Sequence, residues 1–258
     1  MVAAVASYLD ARAHGGQWLV RMEDLDPPRE MVGAADDILR TLDGFGLQWD
    51  GAVMFQSRRA ARYQEILDDL LGGGQAFGCD CTRAMLADAS LYPGTCRGRK
   101  SGRAYRLEVG QGEVMWDDRL SGPQRFDLLA DIGDFVLKRA DGFWAYHLAV
   151  VMDDHDQQVT DVVRGADLLD STARHLALMQ QLNWPQPQYM HLPVVVNASG
   201  QKLSKQTLAP PVDASQPVPT LQQVFQHLGL PTAATPDLEA TYDQATADWA
   251  VAFNIVSP

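Results

Sequence analysis

Cysteine is scarce: the chain has three among its 258 residues, all between Cys79 and Cys96. A clustered, odd set excludes the dispersed pairing of a disulfide-stapled domain and leaves a metal site or reduced thiols. Long apolar runs are missing too. No stretch approaches the roughly 18 residues that a membrane-spanning helix needs, and Met1–Tyr8 has no basic residue, unlike a signal peptide. The chain therefore reads as cytoplasmic, with no membrane partner and no sign of an obligate protein partner. Positive charge is also short. Against 33 Asp and Glu stand 21 Lys and Arg, a net charge of −12, an awkward balance for a protein that meets RNA phosphates. A local basic surface can still sit on an acidic body. Arg97, Arg99, Lys100, Arg103 and Arg106 are one candidate, with a solvated basic loop as the alternative.

What is present is ordinary globular material, 46% apolar and 21% charged, long enough for one sizeable core plus an insert. Val2, Val5 and Leu9 lie near helical spacing, ending near Gly15-Gly16. Gln17–Met22 reads as a short strand and Asp24–Pro28 as a turn. Helices are expected over about Met31–Phe45, with Ile38, Leu39 and Leu42 on one face, and over about Arg58–Leu71. Val159–Arg164 and Tyr189–Val196 read as strands around a helix at Asp170–Leu182. This alternation implies an α/β fold with a mainly parallel sheet. The expected organisation is a first part of a Rossmann-like core at 1–75, an insert at 76–125, a second part of the core at 126–210, and a short helical C-terminal region at 211–258. The chain begins inside a helix, where parallel folds of this kind usually open with a strand.

Three segments carry candidate chemistry. In Gly200–Gln206, Lys202 and Lys205 flank Ser204 after a strand and a glycine. Such a loop suits closure over a triphosphate, its ammonium groups offsetting charge on leaving pyrophosphate. Val20–Arg29 places three acidic residues at the carboxyl end of a strand, where open α/β sheets bind ligands. Glu23 is the candidate there for an amino group, whereas Asp26, before Pro27, is expected to be structural. In the third segment, Tyr146 and His147 interrupt an apolar stretch, and Arg164 ends a strand beside glycine. An arginine there can grip a carboxylate through two parallel hydrogen bonds.

Together these segments resemble the catalytic core of glutamyl-type class I aminoacyl-tRNA synthetases. Val20–Arg29 matches R-x-E-D-x-D-x-x-R, Tyr146–Arg164 continues a Y-x-L-A-x-V-x-D-D-H…V-x-R-G-x-D run, and Lys202–Gln206 resembles the second ATP-binding signature. The similarity covers most of residues 1 to about 210. The chain ends too soon for a large anticodon-binding region, so it looks like the truncated branch that glutamylates queuosine in tRNA(Asp). The resemblance implies L-glutamate, ATP with Mg2+, and queuosine-containing tRNA(Asp) as partners. It implies Glu23, Tyr146 and Arg164 as glutamate-binding residues, with Lys202, Ser204 and Lys205 in the catalytic loop and Lys205 on ATP. Spacing alone leaves Cys79, Cys81 and Cys96 open between zinc and free thiols. The resemblance, through C-x-C…Y-x-x-x-C, implies a structural zinc (Zn2+) held by Cys79, Cys81, Tyr92 and Cys96. Family members open with a strand and an H-x-G-S/H motif, and Met1 falls just past it. That departure implies a mis-started or clipped form of a longer enzyme, or else an inactive relative that only binds RNA or an amino acid. A glutamyl-tRNA synthetase fragment is the remaining alternative.

Overall fold

The computed structural model describes residues 1–87, 89–196 and 212–255. The Lys202, Ser204 and Lys205 loop therefore lies outside the described residues. Helix α1, Val2–Ala13, buries Val5, Ala6, Leu9 and Ala13 along one side, as their spacing requires. The strand expected over Gln17–Met22 contracts to β1, Arg21–Met22. It pairs in parallel with β2, Met54–Phe55. Just before β1 the chain is already fixed, because the carbonyls of Trp18 and Val20 accept from the N–H groups of Asp50 and Met54. Parallel neighbours need a crossover, and α2, Ala34–Gly44, lies within it.

Helix α2 begins three residues later than its apolar pattern suggests. Gly33, with φ 82°, sets a left-handed turn ahead of it and leaves Met31 and Val32 exposed. Ile38 is also 48% exposed, so the buried face rests on Leu42. Helix α3, Ala60–Gly72, closes this half.

The second half repeats the plan. Strand β8, Asp161–Gly165, pairs in parallel with β9, Gln188–Leu192, across α5, Leu169–Leu182. Strand β9 stops short of the expected Val196 because Pro193 has no N–H to continue the ladder. Helix α4, Tyr146–Asp156, precedes β8.

Between the halves, β3 (Ala76–Cys79), β4 (Ala104–Leu107) and β7 (Val136–Lys138) form an antiparallel sheet. A hairpin of β5, Glu113–Asp118, and β6, Gly122–Asp127, projects from it. Along β5 the residues alternate, so that Val114 and Asp118 are buried while Met115 is exposed. The hairpin docks on β9 through Arg119 N donating to the Tyr189 carbonyl at 2.9 Å. Helices α6, Pro217–His227, and α7, Leu238–Ala252, cover the other side of α1. There the buried carboxylate of Asp10 accepts from Trp249 Nε1 at 2.9 Å and from both terminal nitrogens of Arg119 at 2.7 Å. One aspartate thus ties α1, the hairpin and α7 together.

Candidate functional site

Glu23 follows directly on β1, Arg164 lies near the carboxyl end of β8, and Tyr146 opens α4. The fold brings all three into the lining of one cavity of about 540 Å³. Carboxyl ends of parallel strands are where side chains can converge without interrupting a sheet. The Tyr146 hydroxyl accepts from Arg164 Nη1 at 3.1 Å. Glu23 is open to the cavity. The protein around it raises its carboxyl above the ordinary value, against the pull of Arg21. Burial likewise raises the Tyr146 phenol, with Arg164 opposing.

Sequence reading missed Arg21 and Asp154 on the same wall. Arg21 Nη2 donates to Asp154 Oδ1 at 2.6 Å and Nη1 to Gln157 Oε1 at 2.9 Å. Burial raises the Asp154 carboxyl, while Arg21 draws it back. The signal was available: Tyr146, Val150 and Asp154 are spaced by four, one face of a helix. Its neighbour Asp153 points the other way, accepting from Gln56 Nε2 at 2.8 Å, Tyr63 OH at 2.7 Å and Arg59 Nε at 2.5 Å. The two adjacent aspartates therefore divide the work. Asp154 pairs across the cavity wall with Arg21, and Asp153 fastens α4 to α3. Asp26 accepts from Arg29 and, at 2.7 Å, from Arg139 Nη1, a tie between the Glu23 loop and the segment after β7.

A second cavity of about 710 Å³ shares Glu23 and Tyr146 with the first and reaches toward Tyr92. Beyond it the three sulfurs of Cys79, Cys81 and Cys96 lie within 4.8 Å of one another. Cys81 and Cys96 Sγ are 3.6 Å apart. The Tyr92 hydroxyl stands 3.4 Å from Cys79 Sγ and 3.6 Å from Cys81 Sγ. Tetrahedral zinc with Zn–S near 2.3 Å separates its sulfurs by roughly 3.8 Å, so the donor set has the right size. Hydrogen bonding, first from Tyr92, lowers the Cys96 thiol to about 6, which favours the thiolate that a metal takes. Close backbone approach holds this corner: a Cβ on Gly78 would stand 2.0 Å from the Ser101 carbonyl carbon, and one on Gly102 2.4 Å from Cys79 N.

The basic cluster next to the cysteines is largely engaged within the fold. Arg97 makes a two-pronged pair with buried Asp134 at 2.7 Å on each arm. Arg99 pairs with Asp80 at 2.6 Å, and Arg103 donates to the Asp80 carbonyl at 2.8 Å. The Arg106 guanidinium lies 4.2 Å over the Tyr92 ring. These arginines hold the insert together, and Lys100 is left exposed.

The chain belongs to the class I tRNA synthetases for glutamate and glutamine: residues 2–91 and 97–218 match the family described as "tRNA synthetases class I (E and Q), catalytic domain". Curated relatives narrow the likeness. The chain is 53% identical to a glutamyl-Q tRNA(Asp) synthetase of Chromobacterium violaceum, over 96% of this chain and 87% of that protein. It is 51% identical to one from Neisseria meningitidis serogroup B, over 98% and 89%. Among solved structures, a glutamate-tRNA synthetase from Elizabethkingia anophelis superposes with a TM-score of 0.81 at 22% identity, over 99% of this chain and 63% of that one. That last match speaks for the fold. Family membership also brings ATP, an amino acid and tRNA as substrates. Among the described residues no helix is long and apolar enough to cross a membrane.

Proposed function

We propose that this chain activates L-glutamate with ATP and transfers it to queuosine in the anticodon of tRNA(Asp). The observation that carries the reading is the meeting of Glu23, Tyr146 and Arg164 in one cavity. L-glutamate offers one ammonium group and two carboxylates. Glu23 suits the ammonium, and Arg164 with Tyr146 suits a carboxylate. The names of the relatives favour queuosine over the tRNA 3′ end as acceptor.

In the first step the glutamate α-carboxylate attacks the α-phosphorus of ATP. A carboxyl–phosphate bond forms, the bond to the bridging oxygen breaks, and pyrophosphate leaves. In the second, a hydroxyl of the queuosine cyclopentenediol attacks the acyl carbon, loses its proton, and AMP departs. Glu23, Tyr146 and Arg164 contribute by holding the amino acid in place. Lys205 would engage the ATP phosphates, with Lys202 and Ser204 shaping the catalytic loop, and Mg2+ would accompany the nucleotide. Zinc at Cys79, Cys81, Tyr92 and Cys96 would be structural, fixing the insert that borders the second cavity. With these substrates the protein would work in the cytoplasm.

The test is glutamate-dependent ATP–pyrophosphate exchange, followed by transfer of labelled glutamate to tRNA(Asp) with and without queuosine. Exchange plus transfer only to the queuosine-containing tRNA is the expected result. No exchange would sink the ligase reading, and equal transfer to both tRNAs would sink the acceptor assignment.

A further inference from the structure

Arg164 is almost buried, at 9% exposure, and most of its donors are already spoken for. Nη2 donates to Thr172 Oγ1 at 2.6 Å and to the Leu168 carbonyl at 3.4 Å. Nε donates to His191 Nε2 at 3.3 Å, and Thr172 Oγ1 lies 2.9 Å from the same nitrogen. Among the described residues, only the Nη1 edge, beside the Tyr146 hydroxyl, is left for a ligand.

Behind His191 stands Asp118. Its Oδ2 is 2.5 Å from His191 Nδ1. Its Oδ1 accepts from the backbone N–H of Ser121 at 2.8 Å, Leu120 at 3.1 Å and His191 at 3.2 Å. Both side chains are buried, at 3% and 1% exposure. The hydrogens fix the direction of this chain. A guanidinium can only donate, so His191 Nε2 must present its lone pair, and the single imidazole proton sits on Nδ1 facing the carboxylate. Burial lowers the basicity of His191, in keeping with a neutral ring. Burial would raise the Asp118 carboxyl, but its hydrogen bonds, first from His191, hold it below the ordinary value.

We propose that Asp118 and His191 are positioning residues for the amino-acid substrate: they fix the Arg164 guanidinium so that Nη1 and the Tyr146 hydroxyl present two donors to one substrate carboxylate. This rests on the reading that Arg164 takes such a carboxylate. Three parts of the fold meet in the arrangement, since Asp118 comes from the hairpin strand β5, His191 from β9 and Thr172 from α5. Orientation of the arginine is thereby coupled to docking of the hairpin. Because Asp118 sets the tautomer, its charge matters more than its shape. In Asp118→Asn the amide oxygen keeps the three backbone donors, which turns the NH2 toward His191 Nδ1. The ring must then carry its proton on Nε2, donor against donor with Arg164 Nε.

The experiment measures L-glutamate affinity by calorimetry and the kinetics of glutamate-dependent ATP–pyrophosphate exchange, with thermal melting as a check on folding. His191→Phe and Asp118→Asn should each weaken glutamate binding about tenfold or more, the loss expected when a charged hydrogen-bonding group is misdirected. The KM for ATP should stay within about twofold, since a misdirected amino-acid ligand leaves the nucleotide contacts alone. His191→Gln, whose amide oxygen can replace Nε2 as acceptor, should restore affinity to within about threefold of the parent, one net hydrogen bond or less. Imidazole 15N shifts should report a proton on Nδ1 in the parent and on Nε2 in Asp118→Asn. Unchanged glutamate affinity in folded Asp118→Asn and His191→Phe overturns the proposal. So does an equal loss for glutamate and ATP. If His191→Phe does not fold, Asp118→Asn and His191→Gln carry the same comparison. Arg164→Lys separates the layers: if it too leaves glutamate affinity intact, the carboxylate reading itself falls, whereas an effect of Arg164→Lys alone removes only the positioning role.

Discussion

The Tyr146 hydroxyl stands 3.1 Å from Nη1 of Arg164, joining the first residue of α4 to the end of β8 across one cavity. The phenol accepts from the guanidinium and keeps its own hydrogen for a ligand. Removing it in Tyr146→Phe should raise the KM for glutamate about three- to tenfold, one net hydrogen bond. Steady-state ATP–pyrophosphate exchange measures it. Glu23→Gln should do more, about tenfold or greater, because a charge-assisted contact to the ammonium is lost.

The thiol corner gives a prediction with a direct readout. Metal analysis should find one zinc ion per purified chain, and Cys81→Ala should abolish it. Chelation should lower the melting temperature of the parent and leave that of Cys81→Ala unchanged, since metal binding and folding of such a corner are linked. Tyr92→Phe keeps the ring under Arg106 and removes the oxygen near the sulfurs, so it should weaken zinc retention without unfolding the insert.

Asp10 joins α1 to Arg119 and Trp249 from inside the protein. Asp10→Ala leaves the partly buried Arg119 guanidinium with the longer contact to Asp161, at 3.6 Å, and takes the acceptor from an indole N–H. Urea unfolding should register a loss of about 3–5 kcal/mol, the cost of breaking a buried ion pair. A loss below about 1 kcal/mol would place the pair among surface bridges, where contributions are that small.

A half-buried and a buried histidine predict a pH dependence. Burial lowers His147 from 6.5 to about 4 and holds His175, whose ring nitrogens have no partner among the described residues, well below its ordinary value. The unfolded chain therefore takes up protons that the native state refuses as pH falls from about 6.5. The histidine contribution to stability should decline from there to about pH 4, by on the order of 3 kcal/mol for His147 alone, and be flat above. His147→Gln should lose that share of the slope in denaturant midpoints recorded against pH. An identical slope in both proteins would show that other groups govern it.

Local pattern made much of the fold readable. Val5 and Leu9 announced α1, and Gly72 marked the end of α3. Motif order announced Glu23, Tyr146 and Arg164 as one site. Element ends were less readable: nothing in Met31–Val32 signals that Gly33 turns left-handed ahead of α2. The basic run at 97–106 reads as an RNA surface or a solvated loop. Its acidic partners could not be read from the run itself, since Asp134 lies far along the chain from Arg97.

The sequence by itself determined the element types, the clustering of three thiols and the order of three short motifs, because these depend on spacing within a few turns of helix or strand. Only the tertiary structure decided which of two adjacent aspartates faces the cavity, which arginines are neutralised, and that Asp118 on β5 reaches Arg164 on β8 through His191 on β9. Those outcomes depend on burial and hydrogen-bond direction among groups distant in sequence. They are fixed when the hairpin, the parallel pair and α5 close on one another.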